Sequence, residues 1–195
     1  MFTLYGSTTS PYVRRLRIWL ANTQHEFVSM QIYQQQDRAL LIEKNPALKV
    51  PALEHVVGEK RTLIYDSRVI YRYLSEQLNY QALTWQQENQ LTLVDAVNDS
   101  LVQMFLLSQS DVVADTDKLF FKLQKERVNN VLAELNEQVE QGLFDHWHYP
   151  AICLFSLVDW IEFRNLHNLK GLAALLHFHQ ENAQRIEVTA TDPRM

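Results

Sequence analysis

The chain has 195 residues, of which 47% are apolar and 21% are charged, and this balance predicts a packed core rather than a disordered chain. Its formal net charge of −5 gives no electrostatic reason to expect binding to nucleic acid or to an anionic membrane surface. The single cysteine, Cys153, excludes an intramolecular disulfide and a cysteine metal cluster. Because we find neither a secretory signal pattern nor an apolar run of membrane-spanning length, we expect a cytoplasmic protein.

The N-terminal part of the chain alternates short apolar runs with helical patterns. Strands are predicted at 2–5, 25–32, 49–57 and 62–65, and helices at 11–22, 38–44 and 66–78. The strand–helix–strand beginning predicts a parallel pair joined by a crossover helix, and the turn at 58–61 adds an antiparallel hairpin. We therefore predict a small α/β domain over residues 1–78.

The pattern changes after residue 78. Residues 79–84 are polar and predict a linker, and no convincing strand follows them. Helical spacing predicts long helices from Trp85 past Phe105 and from Leu119 to Val139, an acidic break at 108–117 between them, and a further helix at 169–184. The stretch 143–150 is predicted to be irregular, and the tail from 187 to be an exposed end. Residues 85–195 are therefore predicted to form an all-α domain, a helical bundle.

The stretch from Ser7 to Arg17 contains the first candidate site. Pro11 suits the first turn of a helix, and Ser10 suits its N-cap. A hydroxyl held at a helix N-terminus lies in a field that favours negative charge, which is where a protein would hold a thiolate. An ordinary Ser-Pro cap explains the same two residues without any chemistry, so the residues alone leave both interpretations open.

Three motifs then occur in an informative order. Ser10-Pro11-Tyr12 follows a short strand, where thioredoxin-like proteins carry Cys-Pro-Tyr; Lys49-Val50-Pro51 resembles a Val-Pro pair ahead of a third strand; and Asp66-Ser67 resembles an acidic-Ser pair at the start of a third helix. Over nearly its full length the chain resembles the soluble glutathione transferases, most of all their bacterial serine-type members. The resemblance implies a thioredoxin-like domain followed by a helical bundle. The Ser156-to-Asp159 box is also similar to the N-capping box of that family's sixth helix.

The resemblance implies a site for reduced glutathione as co-substrate. Ser10 would donate a hydrogen bond to the glutathione sulfur, and such a bond lowers the thiol pKa and raises the thiolate fraction. The hydroxyls of Ser7, Thr8 and Thr9 leave open which group meets the sulfur.

The resemblance also assigns the rest of the glutathione site. Pro51 would be a cis proline, so that Val50 offers its N–H and C=O to the cysteinyl part of glutathione. Asp66 would bind the γ-glutamyl ammonium and Ser67 the neighbouring carboxylate, although a plain helix cap accounts for the same pair. Lys49 would approach the glycyl carboxylate.

The implied reaction is attack of the glutathione thiolate on a small hydrophobic electrophile, in a detoxification role. The electrophile would lie between the loop 6–9 and the helix that starts at Trp85, with candidate lining residues Tyr12, Met104 and Phe105. The resemblance further implies a homodimer, to which a helix of the first domain would contribute Tyr71, Arg72 and Tyr73.

Two other functions stay open at this point. One is a non-catalytic binding or regulatory protein on the same fold, similar to the stringent-starvation type, which the retention of Ser10, Asp66 and Ser67 disfavours. The other is a glutathione-dependent reductase or peroxidase, which the occupation of the two redox-cysteine positions by Ser10 and Val13 disfavours.

Several further residues are of types that can take part in catalysis or metal binding, but no sequence pattern supports such a role. Histidine pairs at 146/148 and 177/179 are two residues apart and do not share a helix face, and no cysteine or carboxylate completes a ligand set, so no metal site is expected. Ser156, Asp159 and His167 lack a nucleophile elbow and are interpreted as structural. We expect Arg14 and Arg15 to be solvated or to pair across the domain interface.

Overall fold

The computed structural model describes residues 1–114 and 117–195, so two positions of the predicted break at 108–117 lie outside the described residues. Contacts within the chain divide it into two compact units. The first unit comprises Met1–Ala82 and Arg185–Met195, and the second comprises Leu83–Gln184. The C-terminal segment therefore groups with the first unit, whereas the sequence analysis assigned it to the helical domain.

The first unit is built on a four-stranded mixed sheet. Its elements are β1 (Phe2–Gly6), α1 (Pro11–Trp19), β2 (His25–Ser29), α2 (Gln35–Lys44), β3 (Ala52–Val57), β4 (Lys60–Tyr65) and α3 (Ser67–Gln77). The strand order is β2-β1-β3-β4, with β1 parallel to β2 and antiparallel to β3, and β3 antiparallel to β4. This confirms the predicted thioredoxin-like architecture, its parallel crossover and its hairpin.

The central strand β1 is buried on both faces. Thr3, Leu4 and Tyr5 are consecutive and all buried, which requires cover on both sides of the sheet. Gly6 ends this strand at a point where no side chain fits, because a Cβ there would overlap the side chain of Val13 in α1. The loop that follows is therefore held close to the first helix.

The second unit is helical, as predicted. It contains α4 (Trp85–Ser108), α5 (Leu119–Glu140), α6 (Tyr149–Arg164) and α7 (Ala173–Asn182). Both α4 and α7 pack against α5 and α6. Helix α4 begins with a complete capping box, in which Thr84 accepts from the Gln87 N–H and the Gln87 side chain accepts from the Thr84 N–H.

Helix α6 corrects two predictions. It begins at Tyr149, inside the stretch predicted to be irregular, and its side chains are buried on every face as far as Ile161. The Ser156-to-Asp159 box therefore lies in the middle of the helix and does not cap it. The N-cap is His148, whose side chain accepts a hydrogen bond from the Ala151 N–H.

By length and composition alone, α4 is the one helix of the described residues long and apolar enough to cross a membrane. From the sequence we expected no apolar run of membrane-spanning length. Core helices of water-soluble proteins pass the same test, so one helix of this kind is weak evidence for a membrane span. Its buried residues Leu91, Val94, Val97 and Leu101 recur at helical spacing, as in a helix that packs one face against a protein core.

The C-terminal segment is not the exposed end that the sequence predicts. It forms the short helix α8 (Ile186–Thr189), which packs against α1. Val188 is 2% exposed, and its carbonyl accepts a hydrogen bond from Arg14 Nη2 at 3.3 Å. Burial of Val188 and Thr191 is what attaches this segment to the first unit.

Candidate functional site

Three segments of the first unit meet at one edge of its sheet. Tyr5 of β1 lies opposite Ala52 of β3, which lies opposite Tyr65 of β4. Just beyond this row β1 and β4 end and β3 begins. Since neighbouring strands lie about 4.8 Å apart, the segments that follow β1, precede β3 and follow β4 emerge within about 10 Å of one another. The sheet thus brings together the predicted site residues Ser10, Val50, Pro51, Asp66 and Ser67.

Two helices begin at this edge, and both have the predicted caps. The Ser10 side chain accepts from the Val13 N–H at 3.4 Å at the start of α1. Asp66 Oδ1 accepts from the N–H groups of Arg68 at 2.8 Å and Val69 at 3.3 Å at the start of α3. Because a helix N-terminus carries partial positive charge, the pair makes this edge of the sheet favourable for an anionic ligand.

The loop before α1 holds four half-buried hydroxyl residues, Ser7 to Ser10. The hydroxyls of Ser7 and Thr9 lie 3.2 Å apart and bond to each other, and the Ser10 N–H donates to the Ser7 carbonyl. The Ser10 oxygen acts as an acceptor in the helix cap, so its proton is available to a further acceptor. Of these hydroxyls, that of Ser10 combines a helix-terminal position with a proton to donate.

The Val50–Pro51 peptide bond is cis, as the family resemblance implies. Pro51 is buried, Val50 is half-buried and Lys49 is exposed. Within the described residues, the N–H and C=O of Val50 make no hydrogen bond. An unpaired peptide group at the start of a strand is suited to pair with the backbone of an extended ligand.

Asn45 holds the loop ahead of this peptide bond; it directly follows the helix predicted at 38–44 and was not among the predicted site residues. Its Nδ2 donates to the Lys49 carbonyl at 2.7 Å, and its Oδ1 accepts from the Ala47 N–H at 3.0 Å. The side chain is 1% exposed. An Asn directly before a proline at the end of a helix is the signal that points to such a turn.

Arg15 is the second residue that sequence reasoning missed. It is 2% exposed, its Nη2 donates to Ser67 Oγ, and its guanidinium lies 5.0 Å from the centre of the Tyr12 ring. Arg14 is 4% exposed. The expectation that these arginines are solvated is wrong, because α1 packs against both α3 and α8 and this covers the side of the helix that carries the two charges.

Tyr5 of β1, Glu54 of β3 and Lys44 of α2 form a buried polar cluster. The Tyr5 hydroxyl donates to Glu54 Oε2 at 3.0 Å, and Lys44 Nζ lies 3.4 Å from Glu54 Oε1. Burial raises the pKa of Tyr5, and the bond to Glu54 raises it further. Burial by itself lowers the pKa of Lys44, but hydrogen bonds to Glu43 and Glu54 together with charge interactions with Tyr5 and Glu54 outweigh it, so the net shift is upward. The hydroxyl stays protonated and the ammonium stays charged, which suits a structural cluster.

The candidate residues for the electrophile are divided between the two units. Met104 and Phe105 are half-buried near the end of α4, and the Phe105 ring packs edge-on against Trp160 with centroids 6.0 Å apart. Tyr12 belongs to the first unit. Cys153 is fully buried in α6.

The residues of the mid-helix box make packing contacts. Ser156 Oγ donates to the Ile152 carbonyl one turn earlier at 2.8 Å. Asp159 Oδ1 lies 3.0 Å from His179 Nε2, and the His179 ring stacks on Phe155. Among the described residues no group of three or more histidine, cysteine or acidic side chains is arranged to hold a metal ion.

Comparison with known proteins gives a consistent result. Residues 4–81 match the family model for the N-terminal domain of glutathione S-transferase. A glutathione transferase family member from Pseudomonas fluorescens Pf-5, solved with bound glutathione, is 24% identical, with 99% of each chain covered and a TM-score of 0.79. The glutathione S-transferase of Methylobacillus flagellatus KT, also solved with glutathione, is 20% identical over 99% of this chain and 100% of that one, with a TM-score of 0.83.

The fold is that of the glutathione transferases. A third solved relative, the Methylobacterium radiotolerans glutathione S-transferase in complex with glutathione sulfonate, is 19% identical over 97% of this chain and 93% of that one, with a TM-score of 0.80. None of the curated protein sequences matches the chain significantly.

Proposed function

We propose that this protein is a serine-type glutathione transferase, which binds reduced glutathione and promotes attack of its thiolate on a small hydrophobic electrophile. The observation that carries the proposal is the convergence of Ser10, Val50 and Asp66-Ser67 at one edge of one sheet. Two solved proteins of the same fold, from Pseudomonas fluorescens and Methylobacillus flagellatus, contain bound glutathione. Their sequences are 24% and 20% identical to this chain.

The γ-glutamyl end of glutathione carries an ammonium and a carboxylate. Asp66 is exposed and supplies a negative charge to the ammonium through a charge-assisted hydrogen bond. The carboxylate suits the first turn of α3, where Ser67 stands and the helix field is positive. Ser67 is 1% exposed, so the carboxylate would be met mainly by the backbone of this turn, with the hydroxyl beneath it.

The rest of the tripeptide follows the start of β3. The N–H and C=O of Val50 would pair with the cysteinyl backbone as an added strand would. Lys49 is exposed next to them, where its ammonium would approach the glycyl carboxylate. This arrangement directs the cysteinyl side chain toward the hydroxyl loop.

Ser10 would then act on the sulfur. A hydroxyl that donates to the charged form of a thiol, next to a helix N-terminus, lowers the thiol pKa. Ser10 stabilises the thiolate in this scheme and does not attack the electrophile itself. The sulfur forms the new bond to the electrophile while a leaving group departs or a double bond accepts the electron pair.

Candidate contacts for the electrophile are Tyr12 in the first unit and, separately, Met104 and Phe105 in the second unit. Aromatic rings and a thioether suit a small apolar compound, and the thioether adapts to varied shapes. We propose a detoxification role in the cytoplasm for this reaction.

The two alternative functions gain no support. Cys153 is the only cysteine and is fully buried in α6, so the site loop has no thiol for a reductase or peroxidase cycle. A purely regulatory protein would not need an acidic cap, an unpaired strand start and a helix-terminal hydroxyl at one edge.

A homodimer is proposed as well. Of the three residues suggested for its contact, Tyr71 is 6% exposed and packs on Trp19, and the Tyr73 hydroxyl bonds to His55 Nδ1 at 2.7 Å. Arg72 alone of the three is exposed, so it is the one available to a partner. Light scattering coupled to size exclusion measures the mass directly.

Calorimetry and a chromogenic assay test the proposed function. We expect heat of association when reduced glutathione is titrated into the protein at millimolar concentration, and turnover of 1-chloro-2,4-dinitrobenzene that depends on glutathione. Binding without turnover would support the non-catalytic alternative. Absence of binding would exclude the proposed function and leave only the fold.

A further inference from the structure

Arg164 lies in the last turn of α6, with its guanidinium against two aromatic rings of the second unit. The guanidinium carbon lies 4.5 Å from the centre of the Phe163 ring and 5.3 Å from the centre of the Phe105 ring, which belongs to α4. The Phe105 ring in turn packs edge-on against Trp160 of α6. A cation over the face of a ring is held by the ring quadrupole, and this contact uses none of its N–H donors.

The donors of this guanidinium find no acceptor in the part of the chain that the structure describes. Nε is buried there without a hydrogen-bond partner, and no described carboxylate lies within ion-pair distance of Arg164. Glu162, two residues earlier in α6, contacts His179 instead, with 3.5 Å between its Oε2 and His179 Nδ1. Because a buried charged donor without an acceptor is costly, this environment favours an acceptor that a ligand supplies.

The position of Arg164 in α6 explains a positive charge but not these surroundings. A basic residue in the last turn of a helix interacts favourably with the partial negative charge of the helix C-terminus. That role needs no aromatic neighbours, and an exposed lysine would serve it equally well. Arg164, Phe105 and Phe163 are all half-buried, so each is partly covered and still accessible. Accessible aromatic rings around one polar group are typical of the wall of a ligand site.

We propose that Arg164 is a specificity-determining residue, and that the preferred electrophile carries a carboxylate, which Arg164 binds. This proposal rests on the proposed function and deepens it, since Phe105 is a candidate contact for the electrophile. The rings of Phe105 and Phe163 contact the apolar part of the compound, and the planar guanidinium donates to both carboxylate oxygens. The substrate class is therefore an aromatic or unsaturated acid rather than a neutral apolar compound.

Two electrophiles that differ in one group test this preference: 4-chloro-3,5-dinitrobenzoate and 4-chloro-3,5-dinitrobenzamide. In both, the thiol of glutathione loses its proton to solvent, the sulfur bonds to the ring carbon that carries chlorine, and chloride leaves with the electron pair of the broken bond. The amide keeps the ring and the shape but has no charge. We expect kcat/KM, divided by the rate constant of the uncatalysed reaction, to be about tenfold or more higher for the benzoate.

Arg164→Gln removes the cation and keeps a polar side chain. We expect KM for the benzoate to rise about tenfold or more with kcat little changed, because the carboxylate contact is the same in the ground state and the transition state. Values for the benzamide should stay the same. A role confined to the end of the helix predicts a lower melting temperature with an unaltered preference for the benzoate. That result, or a wild-type protein that does not distinguish the two compounds, would overturn the proposal.

Arg127→Gln is the matched control. Arg127 belongs to α5 of the same unit and donates to Ser100 Oγ at 3.1 Å and to Gln124 Oε1 at 2.8 Å. Its loss changes the net charge of the protein by the same amount, and we expect the preference for the benzoate to persist. Equal losses in the two variants would reveal a long-range effect of charge on an anionic substrate and would contradict a contact with Arg164.

Arg164→Lys keeps the test valid if Arg164→Gln does not fold. Lysine retains the charge at the end of α6 but lacks the planar pair of donors, so we expect a smaller rise in KM, confined to the benzoate. An unchanged KM, or a rise shared by the benzamide, would count against the proposal.

Calorimetry with the glutathione conjugates of the two compounds makes the same comparison without turnover. We expect the wild-type protein to bind the carboxylate conjugate more tightly than the amide conjugate, and Arg164→Gln to bind both alike. Equal affinities in the wild type would overturn the role of Arg164 alone. Failure to bind either conjugate or glutathione itself would overturn the proposed function, which distinguishes that failure from an error about Arg164.

Discussion

The Ser10 hydroxyl can accept one hydrogen bond and donate another at the same time. Its oxygen accepts from the Val13 N–H to cap α1, and its proton is free for a sulfur anion. The two roles do not compete, because one uses a lone pair and the other the proton. Under the proposed function, a residue that looks like an ordinary cap in the sequence would therefore also act on the glutathione sulfur.

Ser10→Ala tests the sulfur contact. We expect kcat to fall about 100-fold, as for loss of one oxyanion-stabilising donor, and the pKa of bound glutathione to rise in a thiolate absorbance titration. The lost cap also costs about 1 kcal/mol of stability, which thermal unfolding measures separately. If Ser7→Ala or Thr9→Val lowers kcat instead, a different hydroxyl of the loop meets the sulfur.

Asp66 offers a substitution that changes charge and little else. Its carboxylate caps α3, and its backbone lies at a positive φ of 69°, where asparagine and aspartate occur more often than most other non-glycine residues. Asp66→Asn therefore keeps a capping oxygen and the backbone conformation. We expect the affinity for glutathione to fall about tenfold. The affinity for glutaryl-cysteinylglycine, a glutathione analogue that lacks the γ-glutamyl ammonium, and the melting temperature should stay unchanged. An equal loss for both peptides would show that Asp66 does not read the ammonium.

At the scale of elements, α6 shows how a helix start depends on protonation. The Ala151 N–H donates to His148 Nδ1 at 3.1 Å, which requires that this nitrogen carry no proton. Burial lowers the pKa of His148 below its usual 6.5, and the neighbouring His146 lowers it further. The neutral ring that the cap needs is therefore the favoured form in the folded protein.

The cap predicts a loss of stability in acid. The pKa of His148 is lower in the folded protein than in the unfolded chain, so the unfolded chain takes up the proton first as pH falls. The contribution of His148 to the free energy of unfolding is therefore complete above about pH 6.5 and falls as pH drops toward the folded pKa. His55 and His167, whose pKa values burial also lowers, act in the same direction. Urea unfolding at about pH 7.5 and about pH 5.5 measures the change.

His148→Asn separates the cap from the titration. Asparagine keeps an acceptor at every pH, so we expect a smaller acid loss than in the wild type and little change at neutral pH. His148→Ala should cost about 1 kcal/mol already at neutral pH. An acid loss in His148→Asn as large as in the wild type would show that the cap does not depend on His148 ionisation.

At the scale of the whole molecule, the chain returns to its first unit after building the second. The C-terminal segment contributes α8 to the unit that begins with β1, and it does so by burying Val188 and Thr191 and by accepting the bond from Arg14. Helix α1, which Ser10 caps, thus depends for its packing on residues near the opposite end of the sequence.

Removal of Arg185–Met195 tests this dependence. We expect faster amide hydrogen exchange in α1, because Arg14 and the face under Val188 lose their cover, with unchanged exchange in α5 of the second unit. Removal of residues 193–195 alone keeps Val188 and Thr191 and should leave both helices unchanged. Unaltered exchange in α1 after the longer deletion would show that α8 does not support the first helix.

Sequence alone determined what depends on neighbouring residues. The caps of α1 and α3, the hairpin at Gly58 and the α/β-then-α order all rest on local side-chain chemistry and periodicity, and the structure confirms them. The cis Val50–Pro51 bond was implied by family resemblance rather than by its own residues. Tertiary structure decided the burial of Arg15, the docking of α8 and the mid-helix position of Ser156 and Asp159. Each of these features depends on which distant segment covers a helix face. Hydrophobic periodicity indicates that a face is buried, but it does not identify the segment that covers it.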